Sequence, residues 1–257
     1  MPETATNNVL ITIPISHYCE KARWALDRAG VEYVEQAHIQ AIHRFATRRA
    51  GGGLTVPVLL CAAGALTDST DILVWVDAQS QPTRALYPKS PDRAAVVRRL
   101  EDYFDTCLGP QSRCWMYQQL RARRDLALNY GCNGVPAWEH MTLRLGYPAL
   151  ITLVAHVLDV TPATGLRSEK EVRAVFDAVG GYLSDGRRYL CGDEFTAADL
   201  TFSALAAPML MPTGYGVQLP QPDELPPYTA EVVRELRAHP AGKHVSRMVD
   251  TERSAPI

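Results

Sequence analysis

The 257-residue sequence lacks a dominant charge: 26 lysines and arginines stand against 28 aspartates and glutamates, a formal net charge of −2. That balance excludes the global basic field that draws a chain to nucleic acid. Cysteine is sparse. Six are present, and Cys107 and Cys114 lie seven apart with no C-x-x-C or H-x-x-x-H beside them, so there is neither a disulfide framework nor zinc spacing. No metal is expected, and the thiols read as reduced, in a reducing compartment. Long hydrophobic runs are also missing. The most apolar stretch, residues 145–160, contains His156 and Asp159, whereas a membrane span needs roughly 18 apolar residues. No basic residue precedes the short apolar stretch 9–15, unlike a secretory signal. The cytoplasm is the expected location. What is present is ordinary for a globular protein: 47% apolar and 21% charged residues, which rules out a disordered or fibrous chain.

The first 80 residues alternate strand and helix. Residues 9–14 are short, β-branched and apolar, as in a buried strand. In residues 19–29, Ala22, Ala25, Leu26 and Ala29 share one helical face and charged residues take the other, with Gly30 placed to end the helix at positive φ. A strand at 31–34, a weak helix at 39–50, strands at 56–60 and 65–67 and a helix at 69–78 complete the order β-α-β-α-β-β-α. Residues 81–91 hold Pro82, Pro88 and Pro91 and read as a linker. Beyond it, residues 92–257 offer only helices, at 94–108, 115–130, 136–160, 169–183, 196–207, 229–238 and 241–251, with a proline-rich loop at 208–227. The expected domains are therefore 1–80, α/β, and 92–257, all-helical.

Three local features carry the chemistry. Ser16 and Cys19, in Ser16-His17-Tyr18-Cys19, mark the junction of the first strand and helix, where unpaired N–H groups and the helix dipole stabilise a thiolate. By the same spacing, Ser16 could simply cap the helix and Cys19 fill the core. Thr55-Val56-Pro57-Val58 opens a buried strand with a proline, which cannot donate to a ladder. A cis Val56–Pro57 bond would turn the Val56 backbone outward as an edge for an extended peptide; the alternative is an ordinary edge strand. Asp68-Ser69 begins a helix, where the Ser69 N–H can hold a carboxylate and Asp68 an ammonium. An α-amino acid head fits both, and so does a plain N-cap. In the second half, Phe195-Thr196-Ala197-Ala198-Asp199-Leu200 has the pattern of a capping box with a hydrophobic staple. It reads as a folding element.

In this order, the features resemble the glutathione transferase superfamily over nearly the whole chain. The resemblance implies a thioredoxin-like N-terminal domain and an all-α C-terminal domain, with glutathione as co-substrate. It assigns glutathione binding to Ser16, His17, Val56, Pro57, Asp68 and Ser69, and thiol activation to Ser16. His17 stands where many members have proline or serine, Thr55 where lysine or glutamine is frequent, and Asp68 where glutamate or glutamine is usual. The function implied is conjugation of glutathione to a small electrophile, as in serine-type members, by a cytoplasmic homodimer with no nucleic-acid partner and no membrane span.

Several readings stay open. His17 is either a second polar group beside the sulfur or a surface residue. Cys19 is either buried or the redox centre of a glutathione-dependent thiol-disulfide oxidoreductase. Trp115 and Tyr117 are candidates for the wall of an apolar co-substrate pocket, or for packing between helices. Arg113, Arg121, Arg123 and Arg124 crowd one expected helix, a density common on solvated faces, and carry no anion-binding expectation. A non-catalytic binding protein that kept the fold is the remaining alternative.

Overall fold

A computed structural model describes residues 8–253; the outer ends of the two expected domains, at 1 and 257, lie outside the described residues. The leading half builds β1 (Val9–Thr12), α1 (His17–Ala29), β2 (Val34–Ala37), α2 (His43–Arg49), β3 (Val58–Cys61), β4 (Gly64–Leu66) and α3 (Ser69–Asp77). This is the expected order of elements. The sheet runs β2-β1-β3-β4, with β1 and β2 parallel and the other neighbours antiparallel. The second strand lies three residues later than its pattern suggested, because parallel pairing sets Val9 opposite Val34 and Thr12 opposite Ala37. A short 3-10 turn at Pro82–Arg84 follows α3.

The second half is helical: α4 (Pro91–Tyr103), α5 (Gly109–Leu120), α6 (Arg124–Gly131), α7 (Ala137–Val157), α8 (Pro162–Tyr182), α9 (Ala197–Leu210), α10 (Pro227–Ala238) and α11 (Pro240–Met248), with π-helical turns after α4 and α11. Most boundaries differ from the sequence expectation by a few residues, and three differences have a clear local cause. The expected helix at 115–130 is two helices, and the first starts at Gly109-Pro110, where proline tolerates a first turn that needs no N–H. Helix α8 starts seven residues early because Thr161 caps it, accepting from the Thr164 N–H at 3.1 Å. Helix α9 runs through Pro208 to Leu210, into the expected loop; the Arg237 guanidinium donates to the carbonyls of Leu210 and Met211 at its end.

Helix α9 is buried along its whole length and mostly apolar, with Asp199, Thr201 and Ser203 its only polar residues, as suits a core helix. It packs on α1, which also packs on α3. Helix α1 is thus covered on both sides, and its charged residues do not face water: Glu20, Lys21 and Arg23 are buried. Each is paired. Lys21 meets Glu101 at 2.9 Å and Asp105 at 2.6 Å. Glu20 accepts from Arg253 at 2.7 Å and from the Gly216 N–H at 3.0 Å. Arg23 bonds Glu35 and the Pro14 carbonyl. No single helix among the described residues is long and apolar enough to cross a membrane.

Candidate functional site

Sheet polarity decides which loops meet. The C-terminal ends of β1 and β2 point the same way, and antiparallel pairing brings the N-terminal end of β3 and the C-terminal end of β4 to that edge. Ser16 follows β1, Val56–Pro57 precedes β3, and Asp68–Ser69 follows β4, so three motifs separated by up to 53 positions in the sequence share one end of the sheet. Lys21 ties α1 to the first turn of α3, donating to the Thr70 Oγ1 at 3.1 Å.

Ser16 is the N-cap of α1 and half-buried; its Oγ accepts from the Cys19 N–H at 3.4 Å, and its hydroxyl lies within reach of the Cys19 sulfur. The Val56–Pro57 peptide is cis. Val56 lies outside the paired segments of β3, and its backbone N–H and C=O bond no other described backbone group. Asp68 is exposed and caps α3, accepting from the Thr70 N–H at 2.8 Å, while Ser69 is buried as the first helical residue.

His17 is 3% exposed, so the surface reading does not hold. Its Nε2 donates to the Gly109 carbonyl at 2.9 Å, pinning α1 to α5. Burial, helped by the positive charge of Arg113, pushes its pKa down to about 3 against the pull of that hydrogen bond. The ring is neutral at pH 7 and ties α1 to α5. Gly109 leaves no room for a side chain against α1: a Cβ there would lie 2.1 Å from the Tyr18 hydroxyl oxygen. Cys19 is fully buried, and burial pushes its thiol upward in pKa despite Arg23 and Ser16. A protonated, enclosed thiol is a poor nucleophile, which removes the physical basis for redox chemistry at Cys19.

Beside this edge lies an apolar cavity of about 110 Å³ between the two halves of the chain. Ile13 and Ile15 of the β1–α1 turn, Ile39 and Gln40 after β2, residues of α5, α6 and α7, and Met211, Leu219 and Pro220 form its wall. Tyr117 lines it, but Trp115 does not: the indole is fully buried and donates to Glu169 at 2.9 Å. The two positions point to different sides of α5, so the pair expected to act together is split.

Glu139 escaped the sequence reading. It is fully buried at the start of α7 and accepts from the Ile39 N–H at 2.8 Å and from His38 at 2.6 Å, fixing the β2–α2 loop that forms one cavity wall. A lone acidic residue in the first turn of a helix gives no sequence signal of a partner 100 positions away. Among the described residues no group of three or more His, Cys, Asp or Glu side chains is placed to hold a metal ion.

Two family models match the chain: the glutathione S-transferase N-terminal domain over residues 10–84 and the glutathione S-transferase C-terminal domain over residues 151–229. Solved structures with the same fold include a glutathione S-transferase from Xanthobacter autotrophicus Py2, 19% identical, covering 97% of this chain and 94% of that one at a TM-score of 0.59. Another, from Pseudomonas fluorescens Pf-5, is 18% identical over 97% and 98% of the two chains at 0.57. A theta-class enzyme from Xanthomonas axonopodis pv. citri, solved with glutathione bound, is 20% identical over 96% and 98% at 0.55. No curated protein sequence matches.

Proposed function

The chain belongs to the glutathione S-transferase superfamily, and from that premise we propose that it joins glutathione to a small electrophile. The observation that carries the reading is the meeting of Ser16, the unpaired Val56 backbone and the Asp68–Ser69 cap at one end of the sheet. In this reading the γ-glutamyl head lies at the start of α3, its carboxylate on the Ser69 N–H and its ammonium on Asp68. The cysteinyl backbone pairs with Val56. The sulfur then reaches Ser16, whose hydroxyl as a donor and whose place at a helix N-terminus both favour thiolate over thiol. The thiolate attacks the electrophilic carbon of a co-substrate seated in the apolar cavity, forming a C–S bond as the leaving group departs with the bonding electrons. Enclosure by apolar walls keeps water from the nucleophile and suits a flat or aliphatic body.

Calorimetric titration with glutathione tests the binding step. Saturable heat is expected for the wild type, weakened at least about tenfold in the Asp68→Ala/Ser69→Ala variant, the scale of losing a charged hydrogen-bonded contact. No heat with the wild type would leave a fold that binds something else. The same reading takes the working unit to be a cytoplasmic homodimer, and sedimentation equilibrium would then give twice the chain mass.

A further inference from the structure

Helix α7 is apolar on two opposite sides, and only one of them is covered. Leu143 and Tyr147 face inward, buried among Ile39 after β2 and Ala127 and Leu128 of α6, and line the cavity. On the other side Trp138, Met141, Leu145, Leu153 and Val157 are exposed, Leu145 by 77% and Trp138 by 60%. Their spacing, with exposed Ala149 between Leu145 and Leu153, sets them in one stripe about 30 Å long. A helix apolar all round belongs in an interior, and a continuous bare stripe of this kind marks a surface that meets something else.

The polar groups beside the stripe are already satisfied. Thr142 and Thr152 are exposed there, and each donates its hydroxyl to the carbonyl four residues earlier, of Trp138 at 2.8 Å and of Pro148 at 2.7 Å. Removing water from this side therefore orphans neither hydroxyl. The charge is of one sign. Glu139, the one acidic residue of α7, is buried, and the ionisable side chains exposed on the helix are His140, Arg144 and His156. Pro148 has no N–H for the Arg144 carbonyl, and the Arg124 guanidinium donates to that carbonyl instead. This sets two arginines at one turn of the helix. Neither makes an ion pair with a described residue, and Asp125, beside Arg124, is taken by Arg123.

A second copy of the chain would bring the same arginines and no carboxylate to the stripe, so like charges would meet. A polar protein surface would find no free donor between Met141 and Leu153 along it. Anionic lipid supplies both things that are missing, an apolar phase for the stripe and negative headgroups for the guanidinia. We infer that α7 seats the protein on an anionic membrane surface. The helix lies in the plane of one leaflet, with its stripe at the boundary of headgroups and acyl chains and with Arg124 and Arg144 against the headgroups. This is attachment, not a span. It stands apart from the transferase reading, since it needs neither glutathione nor the cavity.

Flotation of the full chain with lipid vesicles tests it, using phosphatidylcholine alone or with phosphatidylglycerol as about a third of the lipid. The wild type should bind the anionic vesicles at least about tenfold more tightly than the neutral ones, and added salt should erode the difference. Leu145→Glu should weaken binding at least about tenfold, and Arg144→Gln about fivefold. Both side chains are exposed, so the thermal midpoints should match the wild type. Tryptophan emission should shift to the blue on adding anionic vesicles, and Trp138→Phe should lose that shift. No flotation of the wild type, equal affinity for the two kinds of vesicle, or unchanged binding in Leu145→Glu would each overturn the proposal. A wild type that stays off vesicles but whose sedimentation mass halves in Leu145→Glu would make the stripe an interface between copies, which overturns it too.

Discussion

Ser16 and His17 are neighbours with opposite duties. Ser16 contributes little as a cap, since its bond to the Cys19 N–H is 3.4 Å long. Ser16→Ala should therefore cost only about 0.5 kcal/mol of stability, the low end for a lost N-cap. Its effect on bound thiol should be larger: a thiolate pKa raised by about one to two units, at about 1.4 kcal/mol per unit, and activity at fixed neutral pH reduced about ten- to a hundredfold. Ultraviolet absorbance of bound thiolate against pH measures the first quantity, and initial rates the second. His17 acts on stability instead. Unfolded, it takes up a proton near its ordinary value of 6.5; folded, it does so only near 3. The unfolded state therefore binds the extra proton in between. The contribution of His17 is complete above about pH 6.5 and declines as pH falls towards 3, by at most about 1.4 kcal/mol per pH unit. Urea midpoints at pH 7 and pH 5 should fall less steeply for His17→Asn than for the wild type.

At the scale of elements, the start of α9 shows how a local signal gains weight from burial. The capping pattern at Thr196 and Asp199 is legible in the sequence and by itself would be worth about 1 kcal/mol. In the fold Asp199 is completely buried and accepts from the Leu190 N–H, the Thr196 N–H and hydroxyl, and His244. Asp199→Ala orphans several buried donors at once. It should cost about 3 kcal/mol or more, read as a shift in denaturant midpoint without a change in slope. Helix α1 teaches the reverse. Its apolar face is legible from Ala22, Ala25 and Leu26, and the charged residues do take the other side, but Glu20, Lys21 and Arg23 are buried there as well. Periodicity reports which side of a helix is apolar; it does not report whether the polar side meets water or another element.

Across the whole molecule, buried charge joins the two halves. Lys21 of α1, Thr70 of α3, and Glu101 and Asp105 at the end of α4 form one cluster, which Tyr87 extends by donating to Glu101 at 2.6 Å. Burial raises the Asp105 pKa, while Lys21 opposes the rise. Lys21→Met would leave two neighbouring carboxylates without their cation. A loss of about 3–5 kcal/mol at pH 7 is expected for one broken buried pair, partly recovered at lower pH as a carboxylate takes up a proton. Thermal melts at pH 7 and pH 5 read both effects; a loss that stays constant with pH would mean that Lys21 serves by packing alone.

The sequence by itself determined the α/β-then-helical order and the three motifs whose succession identified the superfamily. Each of these rests on interactions between residues a few positions apart: caps, turns, proline constraints and amphipathic period. Only the tertiary structure decided that His17 ties α1 to α5, that Cys19 is enclosed, that Trp115 and Tyr117 part company, and that Glu139 holds a cavity wall. Those outcomes depend on partners many positions away in the sequence. Burial and charge pairing are properties of the assembled surfaces, and no local pattern encodes which surface a side chain will meet.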